Sequence, residues 1–139
     1  MTTSEITIFD LHKAMRNSFY DKQPEKYISI DEGWYKLVLQ CHIEILNIDP
    51  QYRIHQIKEK FGTLRYYCEL SESYWQTPKD QRVDVTSVIA KYEAISKQTC
   101  EATGRPGVLM KSPTGYLRTL NPRWAAQNPP FDKYVEVNS

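Results

Sequence analysis

The sequence predicts a small α+β domain: a short antiparallel sheet, two to three helices, and a C-terminal β-hairpin subdomain. Three observations carry this. Trp34, Leu37, Val38, Cys41 and Ile45 recur at the spacing of one helical face. Leu64, Tyr66 and Cys68 alternate with Arg65, Tyr67 and Glu69, the two-residue period of a strand. "KSPTG" separates the apolar runs "GVLM" and "YLRTL", with Pro113 suited to the second position of a turn and Gly115 to a left-handed one.

Along the chain, Ile8 to Tyr20 spaces Phe9, Leu11, Met15 and Phe19 as a short helix that the Lys22–Lys26 stretch, with Pro24, breaks. The helix beginning near Glu32 has Asp31 or Ser29 as its cap and stops at Asp49-Pro50. In "YRIHQIKEKFGTLRYYCEL", Ile54, Ile57 and Phe61 also suit a helical turn, but the aromatic alternation after them favours two strands around Phe61-Gly62-Thr63. Ser71 to Arg82 reads as a polar loop carrying Tyr74 and Trp75. Val83 to Lys97 reads as an amphipathic helix with Val85, Val88, Ile89, Tyr92 and Ile95 on one side. The Asn- and Pro-rich end reads as an irregular arm, with Tyr134, Val135 and Val137 able to dock as a short strand. One domain is expected over 1–139: a helix and sheet core to residue 98, a knuckle and hairpin over 99–125, and the arm from 126.

Eighteen basic and seventeen acidic residues give a formal charge of +1, so neither an acidic nucleic-acid mimic nor a strongly basic clamp is indicated, and any anion site must be local. Cys41, Cys68 and Cys100 are odd in number and form no C-x-x-C pair, which fits a reducing cytoplasm. The first residues lack the basic and apolar regions of a secretory leader, and no apolar run approaches the roughly 18 residues of a membrane span. An intracellular, cytoplasmic protein without a membrane segment is the expectation. H-E-x-x-H, G-x-S-x-G and Walker patterns do not occur, so the expected activity is binding rather than catalysis.

The candidate ligand site is "KEKFGTLRYY". Lys58, Lys60 and Arg65 stand beside Phe61, Tyr66 and Tyr67, the mixture of cations and ring faces that pairs with phosphates and stacks on bases. The competing reading is a solvated strand edge whose charges protect it. Arg118 joins the same anion site if the C-terminal hairpin packs beside the sheet; otherwise it pairs with Glu93 or Glu101. Tyr74 and Trp75 serve either as a docking loop for a partner protein or as rings that tuck the loop onto the core. A third reading is a small phosphoesterase using His55 with Lys58.

Three segments resemble a small family common in bacteriophages and prophages: "GWYKLV" at Gly33–Val38, "QIKEKFGTLRYY" at Gln56–Tyr67, and "TCEATGRPG" with "YLRTLNPRWA" at Thr99–Ala125. Members of that family carry a K-E-K-F-G-x-L-R-[FY]-Y strand pair and a C-terminal C-x-x-C-G-x-P-G followed by R-T-L-C-x-x-H-A. The match covers about two thirds of the chain. The resemblance implies a zinc-ribbon-like C-terminal element, but only Cys100 of the four ligand positions is kept here. Thr103, Asn121 and Trp124 occupy the other three, and a hydroxyl, an amide and an indole do not complete a zinc tetrahedron. No metal and no cofactor is expected, with Trp124 filling the volume by packing. The resemblance also implies a role: a phage-type protein acting on a host component in counter-defence. Its partner is then a nucleotide-like small molecule, nucleic acid or a host protein, with a homo-oligomer as a further expectation.

Overall fold

A computed structural model describes residues 5–137; the last two residues of the C-terminal arm lie outside this range. The order of elements is α1 (Ile8–Met15), β1 (Ile28–Ser29), α2 (Tyr35–Ile48), β2 (Arg53–Lys60), β3 (Thr63–Glu69), α3 (Glu72–Gln76), α4 (Val85–Ser96), β4 (Val108–Lys111), β5 (Leu117–Leu120), α5 (Pro122–Ala126) and β6 (Val135–Glu136). The α+β class is as the sequence predicts. No helix among the described residues is long and apolar enough to cross a membrane.

The first sheet has the order β1-β2-β3, with β2 and β3 antiparallel and β1 adding a two-residue parallel edge. Phe61 and Gly62 join β2 to β3, both with positive φ, 54° and 81°. That is the backbone a two-residue hairpin needs for its twist to match the strands, and Gly62 supplies half of it without strain. The free edge of β3 is covered by α4: Ser96 Oγ accepts from Leu64 N at 3.0 Å and Glu93 Oε2 from Tyr66 N at 3.4 Å. The second sheet, β5-β4-β6, is antiparallel throughout, and the short strand foreseen in the arm is β6.

One apolar cluster unites α1, α2, α4 and the inner face of the first sheet through Leu11, Met15, Trp34, Val38, Ile45, Ile57, Leu64 and Tyr92. It contains a hydrogen-bonded chain: Tyr66 Oη lies 2.7 Å from Tyr52 Oη, which lies 2.6 Å from His42 Nδ1, with the direction of the bonds set by the imidazole tautomer. Burial holds the His42 pKa below its ordinary value. A second, smaller cluster gathers Cys100, Met110, Leu120 and Ala125, with Trp124, Phe131 and Tyr134 against it.

Several local expectations are corrected. Asp31 makes no capping hydrogen bond; a turn of 3-10 helix over Glu32–Trp34 precedes α2, and Ser29 lies in β1. Phe9 and Ile95 are exposed, because their helices turn Leu11, Met15, Val88 and Tyr92 inward instead. The loop after β3 contains α3, capped by Ser71, whose hydroxyl accepts from Tyr74 N. The arm is structured, since Asn121 caps α5 and Pro122 suits its first turn.

The three segments singled out in the sequence meet in space. Gly33 N donates to Glu101 O at 2.7 Å, Trp34 Nε1 to Thr99 O at 2.9 Å, and Thr119 Oγ1 to Gly62 O at 2.6 Å. Each bond ties the larger cluster to the knuckle or the second sheet.

Candidate functional site

Strand register sorts the cations. Lys58 stands opposite Arg65, Gln56 opposite Tyr67 and Lys60 opposite Thr63, so all six project from the outer face, away from Ile57, Leu64 and Tyr66. Lys60 and Tyr67 are exposed; Lys58 and Arg65 are half-buried. Lys58 and Arg65 are like charges at directly opposed positions, an arrangement that costs stability unless something negative relieves it. Among the described residues, no carboxylate pairs with Lys58, Lys60 or Arg65 within 4.0 Å. Phe61 extends this face at the hairpin tip: it is 64% exposed in a left-handed conformation, with Lys60 Nζ 5.6 Å from its ring centroid. Tyr66, grouped with these residues in the sequence, is buried and belongs to the core chain with Tyr52.

The polar groups at the far end of the same hairpin are engaged with one another. His55 Nε2 lies 3.1 Å from a Glu69 oxygen that also accepts from Tyr20 Oη at 2.7 Å, and Arg53 stacks over the Tyr20 ring. His55 is therefore engaged with Glu69 rather than joined to Lys58.

Arg118 does not belong to the outer face. Its Nη2 lies 2.5 Å from Asp31 Oδ2 and 3.3 Å from Glu101 Oε1, and its guanidinium lies over the Phe131 ring. The Glu101 pairing is one that the sequence allows; the shorter bond, to Asp31, has no signal there. Burial works against the charge of Arg118, but Glu101 and Asp31 outweigh it and raise its pKa. These groups line a cleft of about 440 Å³ on the inner side of the β2–β3 turn, together with Glu59 and Tyr35. Glu101 is 2% exposed; burial pushes its carboxyl up to about 7, against the pull of Arg118 and of the Asp31 amide that donates to it at 3.0 Å.

Sequence reasoning does not find this acidic cleft. Part of the signal is present: Glu59 lies two residues beyond Ile57 in a strand, so it shares the inward face. Nothing local marks Glu101 as buried.

Tyr74 and Trp75 divide between their two readings. Tyr74 is buried with its hydroxyl donating to Val83 O at 2.6 Å, while Trp75 is 59% exposed, edge-on to Tyr74. Arg82 lies 5.4 Å from the Tyr74 ring centroid and 5.0 Å from that of Trp75, and donates to the carbonyls of Trp75 and Thr77. Only Trp75 of the pair presents a surface.

At the knuckle, Thr103 Oγ1 accepts from Arg105 N, and Asn121 Oδ1 accepts from Trp124 N while its Nδ2 donates to Pro106 O at 2.9 Å. Trp124 packs on Phe131 with the rings tilted by 38°, 5.3 Å between centroids, against the cluster that holds Cys100. An amide and an indole thus cross-link the turn and the hairpin here.

Comparison with protein-family models, curated proteins and solved structures finds no match for the chain.

Proposed function

We propose that this is a non-enzymatic binding protein that takes a nucleotide-like anion, or the single-stranded nucleic acid built from such units, on the outer face of β2–β3. The observation that carries the reading is the opposed Lys58–Arg65 pair, with Lys60 beside it and no carboxylate partner among the described residues, next to the exposed rings of Tyr67 and Phe61. Phosphates relieve the repulsion between the cations, and bases stack on the rings. The eight residues of β2 span roughly 23 Å at ~3.3 Å per residue, a platform of the size on which sheet-based RNA modules stack two or three bases. The resemblance to phage proteins supplies the setting: interference, in the host cytoplasm, with a host nucleic acid or signalling nucleotide.

Fluorescence anisotropy with a labelled oligothymidylate and with a labelled dinucleotide tests this. Binding is expected with a log-affinity against log-salt slope of about −2, as three cations on a single strand require. Lys58→Ala with Arg65→Ala should weaken it at least about tenfold while the fold is kept. Unchanged affinity in that double variant removes the outer face from consideration.

A second reading, inhibition of a host protein by direct contact, is favoured by Trp75, an exposed indole flanked by Tyr74 and Arg82. A host protein captured by the wild type and by the Lys58/Arg65 variant, but lost with Trp75→Ala, would favour it over nucleotide binding.

A further inference from the structure

The acidic cleft lies on the opposite side of the hairpin from the cationic face, and nothing in the outer-face reading employs it. Three carboxylates, Asp31, Glu59 and Glu101, share one guanidinium, Arg118, and all three act on its charge. One cation facing three acids leaves the cluster short of positive charge. Glu59 uses one oxygen on Gly62 N, at 2.7 Å.

A second, independent feature points to a ligand. Glu101 lines the cleft at 2% exposure, and its Oε1 has no hydrogen-bond partner, although Arg118 Nη2 stands 3.3 Å away. Arg118 Nε is likewise buried and unbonded. Arg118 offsets the charge of this oxygen, but its hydrogen-bonding capacity is unused, and an N–H donor entering the cleft would fill it.

The remaining lining is mixed: Ile8, Ile28, Ile30 and the ring of Tyr35 on one hand, His12, Ser29 and Glu25 on the other, Glu25 being paired with Arg16 at 3.7 Å. The three isoleucines beside the carboxylates match a methylene stem that carries a cationic head, and an aromatic ring adds a face for the charge. Among the described residues, no three His, Cys, Asp or Glu side chains are grouped so as to hold a metal ion, so the carboxylates suit an organic cation with several N–H donors reaching separate acceptors.

We propose that this cleft binds an alkylammonium or alkylguanidinium group, its stem along Ile8, Ile28 and Ile30 and its head among Asp31, Glu59 and Glu101. Two sources offer that chemistry, a free polyamine and a basic side chain of a partner protein.

The test is titration of the full chain, followed by ¹⁵N-resolved NMR, with spermidine and separately with a blocked lysine-containing tetrapeptide. Saturable binding is expected, with amide shifts centred on Asp31, Tyr35 and Glu101. Acetylating the lysine of the peptide, or making Glu59→Gln, which keeps an acceptor for Gly62 N, should weaken binding about tenfold or more. Lys58→Ala with Arg65→Ala should leave it unchanged. Saturation by spermidine alone assigns a free polyamine, and saturation by the peptide assigns a protein side chain. Failure of both probes to saturate, equal affinity for the acetylated peptide, or shifts centred on the outer face would each overturn the assignment. Should Glu59→Gln fail to fold, Glu101→Gln and the acetylated peptide on the wild type decide the question in its place.

Discussion

Thr119 Oγ1 donates to the carbonyl of Gly62 at 2.6 Å, joining the tip of the β2–β3 hairpin to β5, an edge strand of the second sheet. Both residues are buried there, and no water replaces the bond if it is lost. Thr119→Val, nearly equal in volume, should cost about 1–3 kcal/mol in urea unfolding, because the Gly62 carbonyl is then left unpaired. Thr119→Ser keeps the hydroxyl and should cost less. Equal losses in the two variants would show that packing, not the hydrogen bond, holds the sheets together.

Of the five glycines, Gly33 makes the tightest approach to its neighbours. A Cβ there would overlap the carbonyl oxygens of Cys100 and Glu101, both backbone atoms that cannot swing aside. Gly33→Ala should therefore cost about 3 kcal/mol or more, at the upper end of overpacking effects. Gly115→Ala provides the contrast: its φ of +98° strains a side chain, but nothing lies within 4 Å. There the cost should be about 1–2 kcal/mol, from backbone strain alone. Thermal unfolding of both variants ranks them, and a smaller loss at Gly33 would contradict the close contact.

Glu101 gives a pH dependence whose sign follows from its surroundings. Burial raises its carboxyl from 4.5 to about 7, with Asp31 and Glu59 adding to the rise and Arg118 and the Asp31 amide opposing it. The native state thus holds this proton more tightly than the unfolded chain does. Its stabilising contribution is full below about pH 4.5 and is lost as pH rises through about 7. Glu101→Gln does not titrate, so the difference in unfolding free energy between wild type and variant should move toward the variant by about 3 kcal/mol between pH 4 and 8. Denaturant titrations across that range check it; a constant difference would mean that Glu101 ionises as an ordinary surface carboxylate.

The strands and longer helices are legible in the sequence because their signals are local. The alternation from Leu64 to Glu69 places every side chain of β3 on its correct face, and the spacing from Trp34 to Ile45 does the same for α2. The same parity places Lys58, Lys60, Arg65 and Tyr67, four of the five proposed ligand residues, together on one face. Phe9 and Ile95 mislead because a loose helical period admits a neighbouring stripe, and only the partner helices decide which stripe is covered.

Arg118 shows the limit. Its place on a strand is readable, but its partner Asp31 is 87 residues away and Glu101 reaches the Asp31 amide across 70. The sequence by itself determined the α+β class, the hairpin and its two-faced charge pattern, since each depends on residue type and short-range periodicity. Only the tertiary structure decided which carboxylates surround Arg118, that Glu101 is buried, and that Tyr74 and Trp75 part company. Those outcomes depend on how Gly33, Gly62 and Thr119 dock two clusters, and close packing between distant segments leaves no periodic trace in the chain.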